Sequence, residues 1–517
     1  MSSRSPWPYV TLVAAAGALA VGLATARAIG VTPDGVVYLD AARHLAAGEG
    51  YVTAAPCVAG LTPLTRFAPL YPGALAVLVS LGADPMAAAR LLSMGLLAIN
   101  TFWVAVAVRH FVPGSVIAPI AAALFWCCST VVFEIHTAAL SEPLFLSFAI
   151  PGLLALQLYL ERRRPLFLVA AGIAFAGASL ARFAGASLVI TAALVLLYDK
   201  RASFGSRLRA TAVCCLLSVL PSILPLWRNQ RLATAVAAVD AVSNPLSFEH
   251  LRALMVTMGS WLLPGTDRVQ FFTGQDAILG LIVITALVAI VRRPWAGVET
   301  SPPIVFEVFP LPHVALLLVS IGFYSSSIPI DSRQLAPVFL CALVVAAHRI
   351  GAVSSREDHS GVRLIRAAVV ALAGLHVVAA IAVVGHLRPR GRGYSGDEWH
   401  FDQLRLAVDG LEPDVVIFSD VPPAVYFLTA RTACPLPADR RGLEEVAGVR
   451  EKLGQERVAV VRFGERRRFP RRAPSGSDLI APVEDIDVGD DAELRIVVRD
   501  RDATLARIVR RGAANDQ

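Results

Sequence analysis

The chain has 517 residues, of which 56% are hydrophobic and 17% charged, with a mean hydropathy of +0.61 and a formal net charge of +7. A water-soluble globule cannot hide that apolar fraction, and the apolar residues come in long unbroken blocks, so a polytopic helical membrane protein is expected. The positive charge is nearly all arginine, Lys200 and Lys452 being the only lysines, and in a membrane protein it points to basic loops and lipid headgroups rather than nucleic acid.

The first apolar block runs from Tyr9 to Ile29. Many further blocks follow it, so it reads as a retained first helix and not as a cleaved leader. Apolar segments then lie near 67–81, 86–110, 115–133, 139–160, 166–180, 183–198, 209–226, 276–291, 304–328, 333–349 and 366–386. Backbone polar groups in hydrocarbon must be satisfied within the segment, so these are helices, and about 11–13 spans are expected. Composition changes near residue 390. "DVVIFSD" and "RVAVVRF" read as strands and "RGLEEVAGVREKL", at 441–453, as a helix. The expectation is an all-α membrane domain over 1–388 and a small soluble α/β domain over 389–517.

Short basic connectors set the orientation. They lie at 161–164, 199–209, 292–293 and 348–366, and all are assigned to the cytoplasm. The loop at 31–66, the long connector at 227–275 and the C-terminal domain then face outward. An even number of crossings must separate the two outer loops, yet seven apolar segments lie between them. Segment 67–81 is the one expected not to cross, because it is short and flanked by Pro69, Pro72, Gly82 and Pro85. The pair over 166–198 is the other suspect. Most of the seven cysteines sit in apolar blocks, and none forms a CxxC, so zinc and redox spacings are missing. Cys57 and Cys434 both fall on the outer side, where a bridge between them is conceivable.

The outer loop begins "VTPDGVVYLDAARHLAAGEGYV". Asp34 and Asp40 read most simply as solvated loop acids. Against that, apolar and small residues recur at helical spacing, so the stretch can lie along the interface and hold Asp34 at the membrane surface. "RFAPLYPGAL" returns the chain to the bilayer through prolines.

At this point the sequence resembles the GT-C superfamily, the polytopic glycosyltransferases that use polyprenyl-phosphate-linked sugars. Asp34, Tyr38, Ala42, Leu45, Gly48 and Gly50, followed by Pro69, Leu70 and Pro72, are similar to its first-loop pattern. "AARLLSMGLLAI" at 88–99, "ALSEPLFLSF" at 139–148, "SLARFAGASL" at 179–188, "PLWRNQRLA" at 225–233 and "DSRQLAPVFLCAL" at 331–343 follow in the family's order. "FSDVPPAVYFLTARTACPLP" at 418–437 resembles the outer tail domain of bacterial members.

The resemblance implies an inverting transfer in which Asp34 takes the acceptor hydroxyl's proton as general base. The leaving phosphate then needs cationic partners, and Arg182 and Arg333 are the candidates. Each has a rival reading: headgroup snorkelling for Arg182, and an ion pair with Asp331 for Arg333. Glu142 opens a helix and can shape the pocket or simply mark the helix start. Asp40 is a substrate-binding candidate that orients acceptor or supports the fold. His136 could hydrogen-bond a sugar, or be a satisfied core histidine. Arg228 and Arg231 sit at the outer rim, beside substrate or anionic lipid. "ERRRFPRR" at 465–472 reads as a solvated or headgroup-facing strip. Asp34 is followed by Gly35 and not by a second acid, which leaves a divalent cation open and no cofactor certain.

The expected partners are a polyprenyl-phosphate-linked sugar donor, an envelope glycan, lipid or protein acceptor, and the bilayer, with the active site outside the plasma membrane. The rivals are a transporter or flippase of lipid-linked sugars, and a non-catalytic scaffold of the same fold. Transporters usually show two similar halves with matching broken helices, and no such duplication is evident in the sequence.

Overall fold

The computed structural model describes residues 5–54, 60–233, 247–264, 302–323, 329–354, 359–436, 458–463, 492–500 and 503–510. The expected span at 276–291, the basic pair at 292–293, parts of the 227–275 connector, the helix at 441–453, the strip at 465–472 and Cys57 lie outside the described residues. The chain forms two compact units: Met1–Ile29 with Thr65–Pro389, and Gly30–Leu64 with Arg390–Gln517. The first loop therefore clusters with the tail, and not with the helices that flank it in sequence, because its buried polar groups find their partners there.

The first unit begins with α1 (Trp7–Ala24); α2 (Pro33–Ala46) belongs to the other unit. Next come α3 (Leu70–Ser80), α4 (Pro85–Phe111), α5 (Ile117–Cys128), α6 (Thr130–His136), α7 (Glu142–Arg162), α8 (Pro165–Ala181), α9 (Ala186–Tyr198) and α10 (Phe204–Ala233). After α11 (Phe248–Gly259) come α12 (Ile304–Val308), α13 (Pro310–Phe323), α14 (Ser332–Ser354) and α15 (His359–Arg390). Among the described residues, α1, α4, α7, α10, α12 with α13, α14 and α15 make seven helical stretches long and apolar enough to cross a membrane. The pair α5 and α6, bent by 58° at Ser129, makes an eighth if it is one broken span. Helix α3 has 11 residues, hence a length of about 16 Å against a hydrocarbon core of about 30 Å, so it does not cross alone. Gly82, at φ +95°, ends it, and Asp84 restarts the chain by capping the Met86 and Ala87 amides of α4.

Buried hydroxyls in this unit fold back on their own helices: Thr25, Thr101, Thr191 and Ser218 each donate to the carbonyl four residues earlier. Arg90, on α4, is satisfied by the C-terminal end of α1, donating to the Gly22 carbonyl at 2.7 Å and to Thr25 Oγ1 at 3.2 Å. At the C-terminal end of α7, Gln157 clamps the start of α12. Its Nε2 donates to the Pro302 carbonyl at 3.0 Å, and its Oε1 accepts from the Val305 amide at 3.2 Å.

The second unit carries the five-stranded sheet. It runs β4 (Ala433–Pro435), β3 (Val416–Ser419), β5 (Val458–Phe463), β7 (Ala503–Arg510), β6 (Ala492–Asp500), while β1 (Val52–Thr53) and β2 (Thr62–Pro63) form a small ribbon. β3 is parallel to β4 and β5; β7 is antiparallel to β5 and β6. Every residue of β5 is buried, Arg462 included, in a strand paired on both edges, with β3 and β7. Helices α16 (Asp402–Asp409) and α17 (Pro422–Thr429) belong to this unit, and Trp399, Phe401 and Phe463 pack ring against ring with centroids 5.1–6.2 Å apart.

Val31 and Gly393 form an isolated parallel bridge, with the Val31 amide donating to the Arg392 carbonyl at 3.3 Å and the Tyr394 amide to the Val31 carbonyl at 2.9 Å. Gly393 sits at φ +61°, and a Cβ there would fall 2.2 Å from the Val31 carbonyl oxygen, so only glycine permits the bridge.

Candidate functional site

Three helix ends of the first unit meet at Glu142. The residue opens α7 with Pro143 next, and its side chain is 3% exposed. One carboxylate oxygen, Oε1, accepts from Arg182 Nη1 at 2.8 Å and from Arg333 Nε at 3.0 Å. Arg182 follows the last residue of α8 in extended conformation. It also donates to Ser141 Oγ at 3.2 Å and to Gln334 Oε1 at 3.1 Å. The turn that aims it is tight: a Cβ on Gly185 would lie 2.5 Å from Ser179 Cα. The Arg–Glu–Arg triad carries a formal net charge of +1, in a polar cluster at the ends of apolar helices.

Arg333 does not take Asp331 as its side-chain ion-pair partner. Asp331 Oδ1 instead accepts the backbone amides of Arg333 and Gln334, at 3.0 and 3.1 Å, and so caps α14. Burial pushes the Asp331 carboxyl up to about 6; Arg333 opposes this, while Glu134 and Glu142 add to it. His313 ties the cluster to α9, with Nδ1 3.0 Å from Ser187 Oγ and Nε2 3.0 Å from the Gln334 carbonyl.

His136 is fully buried, and both its ring nitrogens are engaged: Nδ1 with the Val132 carbonyl at 2.7 Å and Nε2 with Asn100 Nδ2 at 3.4 Å. Asn100 also donates to the Pro143 carbonyl at 3.0 Å, so this pair supports the backbone beside Glu142. Arg228, near the end of α10, donates to Asn229 Oδ1 at 3.3 Å, and Arg231 lies over the Trp227 ring with 4.0 Å to its centroid. None of the described contacts of these two arginines reaches Glu142.

The other candidate residues lie in the second unit. Asp34 stands in the first turn of α2, half-buried, behind Pro33 and an N-cap in which Thr32 Oγ1 accepts from the Gly35 amide at 3.2 Å. Asp40, on the same helix, is 3% exposed and fully committed. Its Oδ2 accepts from Thr53 Oγ1 and the Ala54 amide, both at 2.8 Å, and its Oδ1 from the Tyr426 hydroxyl at 2.5 Å. His44 lies 3.4 Å from Asp40 and pairs with Glu49 on its other side.

Two residues of this unit were not found from the sequence: Tyr394 and Asp420. The Tyr394 phenol is pushed above its usual range by burial and by the Asp34 and Asp420 carboxylates. Gln334 and His313 were missed as partners as well, and Asp331 was weighed only as an ion-pair partner of Arg333. An Asp-Ser before a helix is a readable cap signal, but nothing local announces the other two. Among the described residues no group of three or more His, Cys, Asp or Glu is assembled to hold a metal ion. Cys434 is disulfide-bonded, while the described Cys127, Cys128, Cys214, Cys215 and Cys341 are free.

No family model matches the sequence, and no curated protein matches it. Solved structures do match in fold. The arabinofuranosyltransferase AftD from Mycobacteria superposes with a TM-score of 0.55 at 15% identity, over 90% of this chain and 35% of that one. The oligosaccharyltransferase from Archaeoglobus fulgidus gives 0.52 at 13%, over 88% and 68%. ArnT from Cupriavidus metallidurans, solved bound to undecaprenyl phosphate, gives 0.48 at 14%, over 99% of both chains. The fold is that of the GT-C membrane glycosyltransferases.

Proposed function

We propose, from the GT-C fold that this chain shares with those transferases, that it moves a sugar from a polyprenyl-phosphate donor to a cell-envelope acceptor with inversion. The observation that carries the reading is the convergence of Arg182 and Arg333, from two separate helices, on the single oxygen of Glu142. Two guanidiniums held side by side are suited to a phosphate that gains charge as it leaves. Glu142 holds them there, since an arginine pair without a counter-charge would repel itself apart.

Asp34 is the general base. In the step, an Asp34 oxygen takes the proton of the acceptor hydroxyl while that hydroxyl's oxygen attacks C1 of the sugar. The C1–O bond to the phosphate breaks, and polyprenyl phosphate departs with the bonding pair, so no general acid is required. Asp40 and His136, whose acceptor and donor positions are already occupied, support backbone. No step is routed through a cation. The protein is placed in the plasma membrane with the Asp34 loop and tail outside. The basic connectors support this orientation, and so does the disulfide at Cys434, since such bonds persist on oxidising sides of membranes.

The test uses purified protein in lipid nanodiscs, given the polyprenyl-phosphate-sugar fraction from membranes of cells lacking the gene. Release of free polyprenyl phosphate, dependent on added envelope acceptor, is the expected result. Donor that remains intact with every acceptor fraction overturns the proposal.

A further inference from the structure

We infer that Gln334 is a positioning residue for Arg182: its side-chain oxygen fixes the guanidinium as a neutral acceptor, so Arg182 is aimed without losing charge to its anchor. The role rests on the reading of Arg182 as a phosphate partner, whereas the hold on the guanidinium stands without it.

Arg182 is gripped at both terminal nitrogens. Its Nη1 donates to Glu142 Oε1 at 2.8 Å and to Ser141 Oγ at 3.2 Å, and its Nη2 donates to Gln334 Oε1 at 3.1 Å. A guanidinium is a rigid plane, so a bond at each terminal nitrogen sets its direction, while Nη1 alone would leave it a pivot. Gln334 suits the second hold because its own backbone is tied twice. Its amide donates to Asp331 Oδ1 at 3.1 Å, and its carbonyl accepts from His313 Nε2 at 3.0 Å. The buried His313 ring reaches it from α13, packed against Phe309 at 5.2 Å and Phe145 at 6.4 Å between centroids. Gln334 also follows Arg333, whose Nε donates to Glu142 Oε1 at 3.0 Å. The first turn of α14 thus supplies one guanidinium and aims the other.

The neutrality of the anchor matters as much as its place. Glu142 already sets one negative charge against the two guanidiniums, and Asp331 lies at the same helix start. A further carboxylate on Arg182 would hold the guanidinium equally well, but would repel an incoming phosphate. A glutamine supplies the geometry alone. Position and charge are therefore separable by substitution: leucine removes the hold, while glutamate keeps it and adds a charge. A residue that merely fills space would not tell those two changes apart.

The experiment uses the full chain in nanodiscs and reads Arg182 directly. Phenylglyoxal modifies arginines faster the less firmly they are held, and peptide mass spectrometry follows Arg182 and Arg333 separately. Retention of a synthetic polyprenyl phosphate is measured beside it by native mass spectrometry. In Gln334→Leu the Arg182 rate rises about tenfold, the worth of a hydrogen bond to a charged group, and retention falls. In Gln334→Glu the Arg182 rate stays at or below that of wild type, yet retention falls about tenfold through the added charge. Arg333, whose bond to Glu142 neither variant touches, keeps its rate and reports that the cluster has folded. If Gln334→Leu fails that check, Gln334→Glu decides. An unchanged Arg182 rate in Gln334→Leu, or full retention in either variant, overturns the inference. Should wild type retain no polyprenyl phosphate while the Arg182 rates follow Gln334 as stated, the hold is sustained and the glycosyltransferase reading is refuted instead.

Discussion

Glu142 shows what one buried side chain does here. Replacing it with alanine removes the carboxylate that both guanidiniums share, and losing one partner of a buried ion pair costs about 3–5 kcal/mol. Glu142→Ala is expected to lower the thermal midpoint in detergent sharply, whereas Arg231→Ala, at an exposed cation–π contact, costs about 1 kcal/mol or less of stability. Asp331 sets a pH dependence. Its folded value of about 6 lies above the unfolded 3.8, so the folded state holds the proton more tightly. Stability is greatest below the unfolded value and falls as pH rises through that window. Asp331→Asn keeps an oxygen for the two amides it caps and should abolish that fall, which melting curves taken across pH 3.8–6 will check.

At the scale of elements, Gly185 and Gly393 are two glycines whose missing side chain decides a conformation. Gly185→Ala pushes on the Ser179 backbone and shifts the turn that aims Arg182. Helix content by circular dichroism is expected to hold, while retention of the proposed polyprenyl-phosphate ligand, read by native mass spectrometry, falls. Unchanged retention would detach Arg182 from phosphate binding. Gly393→Ala collides with the Val31 carbonyl and breaks the bridge between first loop and tail, at about 2 kcal/mol or more. The elements themselves were legible: long apolar runs can only be helices in hydrocarbon, and the prolines around 67–81 already mark α3 as too short to cross. The pairings were not. Glu142 and Arg333 are 191 residues apart, and Asp40 and Tyr426 are 386 apart, so no local pattern joins them. The family resemblance, and the cost of a charge between two apolar halves, flagged Arg182, but neither names its partner. Arg333 illustrates the limit, because the nearby Asp331 turned out to cap the helix while the guanidinium reached Glu142.

For the whole molecule, the division into units matters more than the division of the sequence into loops and spans. The first loop is cut off from the tail by the entire helical unit, yet Val31 pairs with Gly393 and Asp40 with Tyr426. The first loop, made at the start of synthesis, must therefore wait for the tail before this unit can fold. Tyr426→Phe removes one hydrogen bond to a buried carboxylate and is expected to destabilise the second unit by about 1.5–3 kcal/mol, seen as earlier proteolysis of the tail. The central claim is that Asp34, and not its neighbour Asp40, takes the acceptor's proton. Transfer by Asp34→Asn in nanodiscs, followed beside a folded Asp40→Asn control, tests it most directly. The account predicts that Asp34→Asn loses about 100-fold or more in kcat with donor KM little changed, because general-base assistance is worth that much. Transfer by Asp34→Asn at the wild-type rate would contradict it.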